Sequence, residues 1–317
     1  MKNPASFELP RHLQPLLKKA QNLEKITIVY LISVIVLMYL VMGSSQAMKT
    51  AWLEDALSTL PAISFLIAST IFNRKPNSEF PYGYHRVFSI AFLAGALALF
   101  AMGCFLAIDS SLSLIKAEHP TIGSYNIFGS QIWMGWVMIA ALVYSALPPV
   151  YLGYKKLPIA KKLHNKILYT DADTQKADYL TAFAAMAGII GVGLGFWWAD
   201  ATAALFISFS VLKDGYSNLK NAIKDLMDRH PVHVESSEKD ELVEELKNFV
   251  ISWNWVSDVK VRFREHGEVY FGEVMVIAQP NTDIPHEIEK GLKALSNYHW
   301  KIYDVVIMPV KELPKHP

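Results

Sequence analysis

Long uncharged segments recur along the first 230 residues of this 317-residue chain, and they limit what it can fold into. Residues 26–43, 87–108, 132–154 and 179–199 carry no charged side chain. A helix needs about 20 apolar residues to cross a bilayer. Two further segments fit with exceptions. Residues 48–72 are interrupted by Lys49, Glu54 and Asp55, and a run after Asp200 continues toward Met227. The reading is six spans. The first starts too far from the terminus, and is too long, for an ordinary signal peptide. Trp197 and Trp198 suit an interfacial aromatic belt and place a tight turn between spans five and six.

The basic residues alternate with the spans. Lys18, Lys19 and Lys25 precede span one, and Arg74, Lys75 and Arg86 lie between two and three. Lys155, Lys156, Lys161, Lys162 and Lys166 separate four from five, and Lys213, Lys220 and Lys224 come at the end of six. The other connections hold only Lys49 and Lys116. Cytoplasmic loops carry the excess of Lys and Arg, so both termini are expected in the cytoplasm. The net charge is +1, and nothing in it points to nucleic acid. One cysteine, Cys104, excludes an internal disulfide and any cysteine-based zinc site.

The composition changes near residue 231. "EKDELVEELKNFVIS" has helical apolar spacing, "SDVKVRFREHG" and "EVYFGEVMVIAQP" alternate like strands, "IPHEIEKGLKALSNYH" is helical again, and "KIYDVVIMPV" is a last strand. The order αββαβ predicts a small α+β domain with helices on one face of a sheet.

Acids at the edge of apolar spans carry the functional signal. A charge at the bilayer centre costs roughly 2.5–3.5 kcal/mol, so such acids are candidates for function. Asp55 lies 12 residues beyond Gly43, deep enough to reach mid-membrane. Thr59 is one turn on, and Glu54 is beside Asp55 on another face. Asp171, Thr174 and Asp178 share a face where span five begins. Spans two and five each offer a carboxylate four residues from a hydroxyl. Asp171, Asp173 and Asp178 also suit a plain capping role at a helix start. Gly188, Gly191, Gly193 and Gly195 read as close helix packing and not as a nucleotide loop.

Further strings resemble the cation diffusion facilitator family of divalent metal cation transporters. They are "LEDALS" (53–58), "PYGYHR" (81–86), "DADTQKAD" (171–178), "WADATAALFIS" (198–208) and "LMDRHP" (226–231). The resemblance covers nearly the whole chain. It implies an α-helical membrane protein of six transmembrane helices (26–230), after a cytoplasmic segment (1–25) and before a cytoplasmic ferredoxin-like αββαβ domain (231–317). It also implies metal/proton antiport, a homodimer and the cell (inner) membrane. The family's site takes two ligands from span two and two from span five. Here they fall on Asp55, Thr59, Thr174 and Asp178, with hydroxyls where an acid and a histidine are usual. Val87 and Phe88 follow Arg86 where the family has an acid, and Met308 stands where its last strand has a histidine.

The resulting site is all oxygen. Such ligands favour Mn, Fe or Mg over Zn as the transported ion. Glu54 and Asp171 are placed to supply missing charge, Asp171 at the cytoplasmic mouth. No cofactor is expected, and the chain reads as a transporter and not an enzyme, because the spans show no nucleophile–base set. Two alternatives stay open at this point: a non-transporting metal-responsive protein and an organic-cation/proton exchanger.

Overall fold

The structure is a computed structural model that describes residues 9–127, 130–236 and 238–314. Residues 1–8 of the expected N-terminal segment lie outside the described residues. Helix α1 (Gln14–Val41) opens with Pro15 in its first turn, where the missing N–H has no partner to lose. The first span is therefore the end of a longer helix that begins inside the segment expected to precede it.

The second apolar segment is two helices. Ser45 caps α2 (Gln46–Leu57), its hydroxyl accepting from Met48 N–H at 3.1 Å. α2 stops at Leu57, and α3 (Thr59–Phe72) restarts beyond Ser58. Pro61 lies four residues past Leu57. It lacks the N–H that would bond the Leu57 carbonyl, and its ring crowds that carbonyl. Ser58 N–H still reaches the Glu54 carbonyl at 2.9 Å, so the chain runs on with a local break.

Next come α4 (Val87–Ile115) and a hairpin of β1 (Ser124–Ile127) and β2 (Ser130–Trp133), which the sequence reading missed. α5 (Met134–Leu163) continues through Pro148, Pro149 and Pro158. It corrects the expected polar loop at 155–166. Helix persists to Leu163, only His164 and Asn165 connect it to α6 (Lys166–Gly193), and Lys156 is fully buried. Asn165 caps α6 by accepting from Leu168 N–H at 2.9 Å. After a four-residue turn α7 (Trp198–Leu226) runs back, as the tryptophans suggested.

Four of these units are long and apolar enough to cross a membrane by length and composition: α1, α2 with α3, α4 and α5. α6 and α7 are of similar length, 28 and 29 residues, but carry more charge. Val29, Ile32, Val36 and Leu40 on α1, and Leu147 on α5, are large apolar side chains left exposed. Such a band suits lipid and not water.

Close contacts hold the bundle. α4 packs on α7 where small residues meet: a Cβ on Gly103 would stand 2.7 Å from Leu212 Cα, and one on Gly215 2.6 Å from Phe100 N. Between α6 and α7 a Cβ on Gly191 would stand 2.4 Å from Ala199 Cβ, as the glycine spacing suggested. Asp200 is buried at the start of α7 and accepts from Ser45 Oγ at 2.6 Å, which anchors the N-terminus of α2.

The tail follows the expected order. It comprises α8 (Leu242–Ile251), β3 (Val256–His266), β4 (Val269–Ala278), α9 (Ile284–Tyr298) and β5 (Ile302–Pro309). β3 pairs antiparallel with β4, and β5 joins β4 in parallel after the α9 crossover. Leu246, Val250, Phe263, Val274, Leu295 and Ile307 meet in its core.

Candidate metal centre

Helices α2 and α3 both pack against α6, so the two segments that carry the candidate ligands face each other. Glu54 and Asp55 occupy the last turn of α2, just before the break at Ser58. Asp178 lies 12 residues into α6. It is within electrostatic range of both Glu54 and Asp55. Glu54, expected to point away from the Asp55 face, comes within hydrogen-bond reach of Thr181, whose hydroxyl donates to the Asp178 carbonyl at 2.8 Å. Both acids of α2 are therefore within electrostatic reach of Asp178 on α6.

The hydroxyls are placed differently. The break between Asp55 and Thr59 means that their four-residue spacing does not run along one regular helix. Thr59 Oγ1 donates to the Ala56 carbonyl at 2.6 Å, which leaves its lone pairs to accept or to ligate. Thr174 lines a cleft of about 420 Å³ together with Asp173, Asp214, Asn218 and Asn221. This cleft lies at the end of the bundle that carries Lys166 and Arg229. Among the described residues, no group of three His, Cys, Asp or Glu side chains is arranged to hold a metal ion.

Asp171 corrects the expectation most clearly. It was expected at the cytoplasmic mouth, open to cations. Instead it is buried, with Oδ2 2.6 Å from Lys156 Nζ and both oxygens accepting from Gln175 Nε2. Its charge is already engaged by an ammonium and is not free for a cation. Asp173 is exposed and pairs with Lys176 at 2.8 Å, consistent with a solvated helix start.

Tyr30 of α1 was not singled out from the sequence. It is electrostatically coupled to both Asp55 and Asp178, and its hydroxyl donates to the Tyr144 carbonyl. Its ring packs on Tyr144 with centroids 5.3 Å apart. A tyrosine in an apolar helix carries no spacing signal that would have revealed this.

This is a multi-pass membrane protein that presents acids on facing helices, and residues 26–227 match the cation efflux transmembrane domain. The chain belongs to the cation diffusion facilitator family of cation efflux transporters. It is 24% identical over 297 residues to the manganese efflux system protein MneP of Bacillus subtilis (strain 168), covering 87% of this chain and 93% of that protein. It is 22% identical over 255 residues to the manganese efflux system protein MneS of the same organism, covering 78% and 81%. A cadmium, cobalt and zinc/H(+)-K(+) antiporter of that organism is 24% identical over 191 residues, covering 59% of this chain and 55% of its own length.

Proposed function

We propose that this chain expels a divalent cation, manganese(II) first among the candidates, from the cytoplasm in exchange for protons. In this reading the chain crosses the membrane six times, α6 and α7 included, with both termini in the cytoplasm. Asp55 and Asp178 are the anionic ligands, Thr59 and Thr174 supply neutral oxygens, and Glu54 adds charge beside them. The reading is supported by the packing of α2, which carries Asp55, on α6, which carries Asp178, with the two carboxyls in electrostatic range of each other.

The mechanism follows from charge. Two carboxylates brought together in a low-dielectric interior repel, so a proton on one of them stabilises the empty site. A divalent cation binds deprotonated ligands and displaces that proton. If the site opens alternately to either side, loss of the cation outward and protonation from outside return the empty site inward. The donors are all oxygen, which suits manganese(II) better than zinc(II), and the similarity to the manganese efflux system proteins MneP and MneS agrees with that preference. The tail is proposed to join two copies of the chain.

The test is flux in proteoliposomes. Manganese(II) should drive counterflow of protons through the wild type, and Asp55→Asn or Asp178→Asn should abolish it while leaving folded protein in the membrane. Wild-type flux in both variants would refute the site.

A further inference from the structure

Lys156 is fully buried, and its ammonium lies 2.8 Å from Glu24 Oε2 and 2.6 Å from Asp171 Oδ2. The three charges come from α1, α5 and α6. Glu24 is as buried as the lysine, and Asp171 is only 2% exposed. Their supply of partners is unequal. Asp171 accepts two hydrogen bonds from Gln175, at 2.9 and 3.0 Å, besides its ion pair. Glu24 Oε1 is buried with no hydrogen-bond partner.

Charge counting makes this arrangement unusual. Two carboxylates against one ammonium leave one uncompensated negative charge, away from water. Such a charge is far costlier to bury than a neutral acid. Among the described residues, the charged groups that act on Glu24 are Lys156 and Asp171. α3 brings the Ser69 hydroxyl to this stretch of α1, where it accepts from Gln21 Nε2 at 3.1 Å. A proton is the remaining cation that fits, and the orphaned Oε1 is the atom left to carry it.

The triad is connected to the candidate metal centre. Asp171 lies seven residues before Asp178, about two helical turns along α6. It lines a cavity of about 50 Å³ between α3, α4 and α6. Thr170, Thr174 and Asn218 line both that cavity and the 420 Å³ cleft. A proton that leaves the triad therefore has a route to water past Thr174.

We propose that Glu24, held in the triad with Lys156 and Asp171, is a proton-exchange site separate from the metal ligands. It releases one proton when a divalent cation binds at Asp178 and regains it when the cation leaves. The proposal rests on the reading of Asp55 and Asp178 as the cation site. When positive charge arrives two turns along α6, the Glu24 O–H bond breaks. The electron pair stays on the carboxylate, and the proton goes to water through the cleft. Lys156 remains protonated and holds both carboxylates. Because the Thr59 and Thr174 hydroxyls do not titrate, the triad adds one to whatever Asp55 and Asp178 release.

The experiment counts protons released per manganese(II) bound to purified full-length protein, by calorimetry in buffers of different ionisation enthalpy. Wild type should release one proton more than Glu24→Gln, which copies the neutral acid but cannot ionise, and Glu24→Asp should restore the wild-type count. Equal counts for wild type and Glu24→Gln would overturn the proposal. If Glu24→Gln does not fold, Glu24→Leu replaces the neutral acid by an apolar side chain, leaves the Lys156–Asp171 pair intact, and should show the same deficit. Asp178→Asn separates the two readings. If it binds manganese(II) as wild type does, the metal centre is misassigned, whereas loss of binding there with equal Glu24 counts refutes the triad alone. A wild type that binds no manganese(II) would remove both.

Discussion

Glu268, at the turn between β3 and β4, accepts a hydrogen bond from the Asn165 side chain at 2.6 Å, and Asn165 caps the helix that carries Thr174 and Asp178. The tail thus holds α6 by its first turn. Lys166, the next residue, pairs with Glu265 of β3 and Asp225 of α7, each at 2.9 Å. Gly267 has φ +67°, and a Cβ there would stand 2.4 Å from the His85 carbonyl oxygen. The turn therefore fits beneath the starts of both α4 and α6.

Burial pushes the Glu268 carboxyl up from 4.5 to about 7. Between those values the native chain holds a proton that the unfolded chain has lost. The group's contribution to stability therefore falls as pH rises from about 4.5 to about 7, and it is level above that window. Glu268→Gln should flatten this fall and stabilise the protein above pH 7 by on the order of 1–3 kcal/mol. Melting temperatures of detergent-solubilised protein across pH 5 to 8 measure it. The same slope in both proteins would contradict the assignment.

Thr59→Asp with Thr174→His should move selectivity toward zinc(II), because it introduces one anionic oxygen and one nitrogen ligand. Competitive uptake of manganese(II), iron(II), magnesium(II) and zinc(II) into vesicles compares native and double-mutant proteins. Native preference for zinc(II), unchanged by the double substitution, would show that these threonines are not at ligand positions.

Gly103→Ala and Gly215→Ala each place a methyl group against backbone of the facing helix, which has no rotamer by which to yield. Each should cost about 1–3 kcal/mol or prevent folding. Gly95→Ala on the same α4 meets nothing within 4 Å and should be neutral or slightly stabilising. Thermal unfolding of the three variants decides this, and equal behaviour would refute the close α4–α7 crossing.

The tail should link two copies of the chain without metal. Crosslinking of full-length protein treated with a chelator is expected to give a dimer band equal to that of untreated protein. Disappearance of the band on chelation would mean that an ion bridges the subunits.

The chain's own pattern indicated most of the helices and the three tail strands, but not the β1–β2 hairpin. Helical spacing in "EKDELVEELKNFVIS" identified α8, because burial of one face imposes its period on neighbouring residues. β4 forms within "EVYFGEVMVIAQP", where alternation was expected, but as the central strand it is buried in consecutive runs at 269–271 and 274–276. The same local signals misplaced two features. Pro61 coincides with a break, whereas Pro148, Pro149 and Pro158 lie within an unbroken α5. A proline removes one hydrogen bond wherever it stands, but surrounding packing decides whether the helix restarts or runs on. Lys156 read as a loop cation because it follows the uncharged run 132–154 beside Lys155, with Lys161 and Lys162 close behind. Only the tertiary structure gave it Glu24, 132 residues earlier, and Asp171, 15 later, as partners. Asp55, Thr59, Thr174 and Asp178 were legible as candidates because helix spacing is local. Which acids stay open to a cation depends on the charges that other helices bring, and Asp171 is withheld by Lys156 for that reason.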